Sequence, residues 1–137
     1  MFYFKSLTVG LCLASALVAM ASTPEELMAR AMRDGRASSE LTGPLADSIK
    51  SLTRSKAATR ASIELAGDAG AGCKFFKVTL VQPDVPSVAG PLVGDYMTVS
   101  RTRVCPDSGQ GEPEILECRI GALSCMPQKA ASSSKSQ

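Results

Sequence analysis

The sequence predicts an α+β domain, with two N-terminal helices packed on a three- or four-stranded antiparallel sheet and the whole stapled by disulfides. Three observations carry this. The hydrophobic period is helical up to about Ala57 and alternating from Thr59 onward. Glycine- and proline-rich segments separate the alternating stretches at hairpin spacing. Four cysteines fall in the alternating half, behind a leader that reads as an export signal.

The leader is Met1–Ala21. Lys5 supplies a positive start, Leu7–Ala19 an apolar run, and Ala19-Met20-Ala21 a small-x-small cleavage site. A membrane anchor needs about 20 apolar residues. The run here is shorter and ends in the cleavage site, so no anchor is expected once it is removed. Cys12 lies in mid-run after Leu11, which does not suit lipid attachment, and it leaves with the signal. The expected organisation is a signal peptide over 1–21, a single domain over 22–127, and a disordered Ser/Lys-rich tail over 128–137. The expected location is the periplasm or the exterior.

The first helix opens at Thr23-Pro24-Glu25-Glu26. This places a capping hydroxyl, a proline at the first helical position and a glutamate three residues after the cap. Leu27, Met28, Ala31 and Met32 share a face, and Gly35 supplies the C-terminal cap. Arg36–Thr42 reads as a connector. Gly43-Pro44 starts a second helix with Leu45, Ile49 and Leu52 as its apolar stripe. Neither short helix is stable alone, so both need a surface to lie on.

The sheet supplies that surface. Thr59, Ala61, Ile63 and Leu65 alternate with Arg60, Ser62 and Glu64. Gly67–Gly72 is a turn, and Cys73–Gln82 a second strand with Phe76, Val78 and Leu80 on one face. A proline-bounded loop follows from Pro83. The third strand runs from about Gly94 to Cys105, with Tyr96, Thr98, Ser100, Thr102 and Val104 on one face and Met97, Val99, Arg101 and Arg103 on the other. Ile115–Ile120 forms a short fourth strand.

If the second and third strands form a hairpin, Gln82 faces Tyr96 and Cys73 faces Cys105. Directly opposed cysteines at a non-hydrogen-bonded pair meet the separation a disulfide needs. Cys118 and Cys125 are then left as a local pair. A four-cysteine zinc site is disfavoured, because such sites bring cysteines in close couples and none exists here.

The catalytic vocabulary is short. Histidine is absent and the formal net charge is +2. This removes most acid–base and nucleophile-base arrangements and offers no clustered basic excess for nucleic acid. Ser132-x-x-Lys135 has Ser/Lys spacing but lies in the tail. Gly70-Ala71-Gly72 leads into a strand rather than a helix, so it is no phosphate loop. Asp107, Glu112, Glu114 and Glu117 match no calcium-loop pattern. No catalytic residue, metal or cofactor is assigned. Recognition candidates are Arg101 and Arg103 on one strand face, the cluster Arg30, Arg33 and Arg36, and the loop 83–94 with Val85, Val88 and Leu92.

The stretch Thr23–Gly43, TPEELMARAMRDGRASSELTG, is followed by one cysteine on each of two paired strands. Over Thr23 to Cys105 it resembles small uncharacterised exported proteins that accompany bacterial conjugative elements. The resemblance implies an envelope-side role near a transfer or secretion apparatus and carries no functional residue with it. The functional expectation is thus a non-enzymatic binding or accessory protein with a protein partner in the cell envelope. The alternative is a secreted hydrolase inhibitor acting through the loop 83–94. Intact mass and N-terminal sequencing of protein isolated from its native compartment should give a chain beginning at Ser22. A chain retaining residues 1–21 there would contradict the export reading.

Overall fold

The computed structural model describes residues 21–86 and 93–126. Residues 1–20, the tail from 127, and Val88 and Leu92 lie outside the described residues. The expectations that fall on them are not addressed further in structural terms.

The chain order is α1 (Pro24–Asp34), β1 (Arg36–Glu40), α2 (Pro44–Thr53), β2 (Arg60–Gly70), β3 (Cys73–Pro86), β4 (Val93–Cys105), β5 (Gly109–Gln110), β6 (Glu114–Ile120) and β7 (Leu123–Ser124). All strands join one seven-stranded sheet in the order β1-β2-β3-β4-β6-β7, with β5 also on β4, and every pairing is antiparallel. The expected fold class is therefore corrected. This is a mostly antiparallel sheet protein with two short helices, not two consecutive helices on a three- or four-stranded sheet.

The correction has local physical causes. Arg36–Glu40, read as a connector, is a strand that pairs residue for residue with Glu64–Arg60. Its sequence, Arg-Ala-Ser-Ser-Glu, has little apolar alternation because it is an edge strand. Its reward is backbone hydrogen bonding, with only Ser39 fully buried. β5 and β7 are two-residue returns, too short to show any period. β2 runs on through Gly67–Gly70, past two register shifts, leaving only Ala71-Gly72 as the turn.

The local rules that did apply are visible in α1. The Thr23 side chain accepts from the Glu26 N–H at 3.3 Å, and the Glu26 carboxylate accepts from the Thr23 N–H at 3.2 Å. Gly35 ends the helix at φ 80°, donating to the Ala31 carbonyl. Ser22 ties the helix start to the sheet side of the molecule. Its N–H donates to the Glu40 carbonyl at 2.9 Å and its own carbonyl accepts from Thr42.

One core forms between the helices and the inner sheet face. It contains Leu27, Met28 and Ala31 of α1, Ala46 and Ile49 of α2, Ala61 and Ile63 of β2, Phe76 and Val85 of β3, and Tyr96 and Val104 of β4. Three apolar positions expected inside are outside: Met32, Leu45 and Leu52 are 54%, 43% and 71% exposed. In α2 the buried stripe is Ala46, Ile49 and Thr53, rotated from the Leu45–Ile49–Leu52 line by a fraction of a turn. The reason is polar. The Thr53 hydroxyl lies 2.6 Å from Gln82 Oε1, and Gln82 Nε2 donates to the carbonyls of Ser55 and Ala57 at 3.3 and 2.9 Å. Gln82 is wholly buried, so these bonds must be satisfied, and they fix which face of α2 turns inward.

The β3–β4 register has partner numbers summing to 178 over most of its length, from Lys74↔Val104 to Gln82↔Tyr96. Cys73 and Cys105 extend the same register and are joined, with Cα atoms 4.2 Å apart. Cys118 and Cys125 form the second disulfide, which folds the chain end back along β6. Beside it, Gly94 and Gly121 approach closely: a Cβ on Gly94 would sit 2.8 Å from the Gly121 Cα. That contact lets the β6–β7 turn hydrogen-bond Asp95.

Loop-closure entropy scales with the residues enclosed. Replacing Cys73 and Cys105 by serine should cost about 4 kcal/mol of unfolding free energy, and replacing Cys118 and Cys125 about 2.5 kcal/mol. Urea titration of the two double variants checks the order. An equal or reversed cost would contradict it.

Candidate functional site

The inner face of β4 carries a row of hydroxyls. Tyr96, Thr98, Ser100 and Thr102 alternate along the strand toward the helices, and all four are nearly buried. Valine at such positions would be the ordinary choice for a half-covered strand. Thr98 Oγ1 is 2.6 Å from the Tyr96 hydroxyl. The side chains of Ser100 and Thr102 make no hydrogen bond to any other described residue. They open onto a cleft.

That cleft exists because the sheet is wider than its helical cover. α1 packs on β1 and β2, α2 is tied at its C-terminal end to Gln82 of β3, and a gap is left over the inner sheet face between these helices and the segment Pro113–Ile115. The gap holds about 310 Å³, within the size range of small-ligand sites. Ala61, Ile63, Val78 and Leu80 form its back wall, with Thr98, Ser100 and Thr102 as its floor. Leu27, Met28 and Leu45 overhang one side, and Pro113 and Ile115 stand on the other. Gln110 closes one end, and Glu25, exposed at the rim, is the one ionisable residue among the described lining.

The recognition residues expected from sequence lie elsewhere. Arg101 and Arg103 are on the outer face. Arg101 makes an ion pair with Glu114 at 2.7 Å and stacks over the Phe75 ring at 4.7 Å. Arg103 is exposed, with Nη2 3.4 Å from the Ala69 carbonyl. Lys77–Glu64 and Arg119–Glu117 are further ion pairs between exposed sheet residues. Val85 is 2% exposed, on the strand extension beyond a β-bulge, and is core rather than an interaction tip. The loop expected over 83–94 is accordingly shorter, since β3 runs to Pro86 and Val85 and Pro86 pair with Gly94 and Val93.

Arg30 and Arg33 border one surface hollow beside Ser22, and Arg36 lies beyond the helix in β1. Arg30 donates to the Ser22 hydroxyl, and Glu26 is engaged in the helix cap. Of the acidic residues, Glu114 and Glu117 are held by Arg101 and Arg119, and no metal-binding cluster occurs among the described residues.

Sequence reasoning missed the cleft, although one signal for it was present. Hydroxyl residues at three successive inward positions of one strand, opposite Val78 and Leu80, mark a face that the core does not cover fully.

Because both members of the Arg101–Glu114 pair are about half exposed, their coupling should be weak. A double-mutant cycle with Arg101→Ala and Glu114→Ala should give a coupling below about 1 kcal/mol, falling further in high salt. A coupling well above this would show that the outer face is more than a solvated surface. No protein-family model, curated protein or solved structure matches this chain.

Proposed function

We propose that this chain is a small exported, non-enzymatic binding or accessory protein and that the cleft over β4 is its binding element. The observation that carries the reading is the make-up of the cleft wall. It is hydrocarbon on three sides and neutral hydroxyl on the floor, which suits holding a ligand by excluding water.

Export is supported by the leader and by two disulfides, which are typical of oxidising extracellular compartments. No helix among the described residues is long and apolar enough to cross a membrane. The position of Ser22 is compatible with cleavage before it. An α-ammonium there retains the donor that now bonds the Glu40 carbonyl. The resemblance of Thr23–Cys105 to exported proteins of conjugative elements supports an accessory role beside a transfer or secretion apparatus, with a protein partner in the envelope. The inhibitor reading would act through the loop 83–94, of which Val85 is core and is not offered to a target enzyme.

The test uses native mass spectrometry of the full protein isolated from the envelope or secreted fraction. Ser100→Leu projects an apolar side chain from the cleft floor and fills the space without touching the β3–β4 register. The wild-type protein should carry a bound species that Ser100→Leu loses. The variant should keep its thermal unfolding midpoint within a few degrees, the scale of a surface-like change of about 0.5 kcal/mol. Identical bound species on both proteins would show that the cleft is not the binding element.

A further inference from the structure

The cleft has a shape and a charge that restrict its ligand. Thr98 and Thr102 are four residues apart on one strand, so the hydroxyl row spans about 13 Å. Such a row suits an extended chain lying along β4. Val78, Leu80, Ile63 and Ile115 flank that line with hydrocarbon.

Its polar groups are unevenly committed. The Thr98 hydroxyl is taken by Tyr96, whereas those of Ser100 and Thr102 are unengaged by described residues. The unengaged pair sits toward the end closed by the neutral side chain of Gln110. The cleft therefore has a dry end and a hydrogen-bonding end. No lysine or arginine is among the described lining residues, and Glu25 is at the rim. An anionic head would surrender its hydration for neutral hydroxyls and meet a carboxylate besides. A cationic head would be desolvated equally, and an exposed glutamate compensates little.

We propose that the cleft binds a small uncharged amphiphile. Its alkyl chain would lie along β4 over Val78 and Leu80, and its neutral head, an alcohol or amide, would hydrogen-bond Ser100 and Thr102. This rests on the reading of the cleft as the binding element and goes beyond it by naming the ligand's charge, shape and direction.

The experiment titrates the full chain, both disulfides formed, with the neutral fluorophore N-phenyl-1-naphthylamine. The bound probe is then displaced with 1-octanol, octanoate or octylammonium at about pH 8, where the acid is ionised and the amine protonated. Methyl NMR shifts at Ile115, Val78 and Leu80 locate the site. Octanol should displace the probe at a concentration at least about tenfold below that of either charged analogue. Thr102→Val combined with Ser100→Ala preserves most of the cleft volume. It should weaken octanol about 3- to 10-fold per hydroxyl removed.

Two failures are distinguishable. If the probe does not bind, or the shifts map away from these methyls, the cleft is not the binding element and both readings fall. If the probe binds there but octanoate or octylammonium competes as well as octanol, the cleft binds but not a neutral amphiphile, and this inference alone is overturned. Should the hydroxyl variants misfold, the charge comparison on the wild-type chain still decides.

Discussion

Everything else in this molecule is referred to the pairing of β3 with β4. These are the two longest strands, adjacent at the centre of the sheet, and one register runs through most of their length. Side chains alternate strictly across a pleated strand, so this register decides three things at once. It sets Cys73 against Cys105. It gathers Phe76, Val78, Leu80 and Gln82 on the side of Tyr96, Thr98, Ser100 and Thr102. It leaves Phe75 and Lys77 outside with Arg101 and Arg103. A slip by one residue would misalign the cysteines and exchange the hydroxyl row for methionine, valine and two arginines. The Cys73–Cys105 bond thus guards the register in addition to limiting the unfolded chain.

The cleft follows from a mismatch of widths. Seven strands present an inner face broader than two helices of 11 and 10 residues can cover. The buried Gln82–Thr53 network holds the C-terminal end of α2 over β3, and the Ser22–Glu40 and Ser22–Thr42 bonds hold the start of α1 beside β1. Both helices are thereby committed to one side of the sheet. Between them and Pro113–Ile115 the cleft over β4 remains. Leu45, rotated away from the core by the demands of Gln82, becomes an overhang of the cleft instead of a core residue. A polar constraint at one end of α2 thus shapes an apolar surface at the other.

Much of this was readable in the residues, and the failures share a cause. Thr23–Glu26 and Gly35 announced α1 because caps are local chemistry. The long strands announced themselves by alternation, and opposed cysteines followed from the hairpin. Arg36–Glu40 was not readable as a strand because an edge strand is held by backbone bonds to a partner distant in sequence, and RASSE carries no imprint of them. β5 and β7 are shorter than any period. Leu52 was expected inside because periodicity ranks faces by hydrophobicity alone, whereas α2 is turned to where Gln82 can be satisfied. The cleft was hidden for a further reason: a void is a property of what several elements fail to cover. Only the substitution of hydroxyls for hydrocarbon on one strand face hinted at it.

That substitution also bears on why the face is built as it is. If β4 served only to close a core, Thr102 and Ser100 would be poor choices. Their oxygens find no partner among the described residues, and an apolar replacement of similar shape would bury more favourably. Thr59 shows the contrast. Its hydroxyl is fully buried without a partner, at the start of β2 where backbone bonds to Leu41 fix the chain, and it faces no part of the cleft. There a hydroxyl is a local cost with no outlet. In β4 the hydroxyls are aligned, reach open space and are framed by hydrocarbon, so the same cost is repaid whenever something neutral and hydrogen-bonding lies against them. Stability alone accounts for the row poorly, and occupancy of the cleft accounts for it directly.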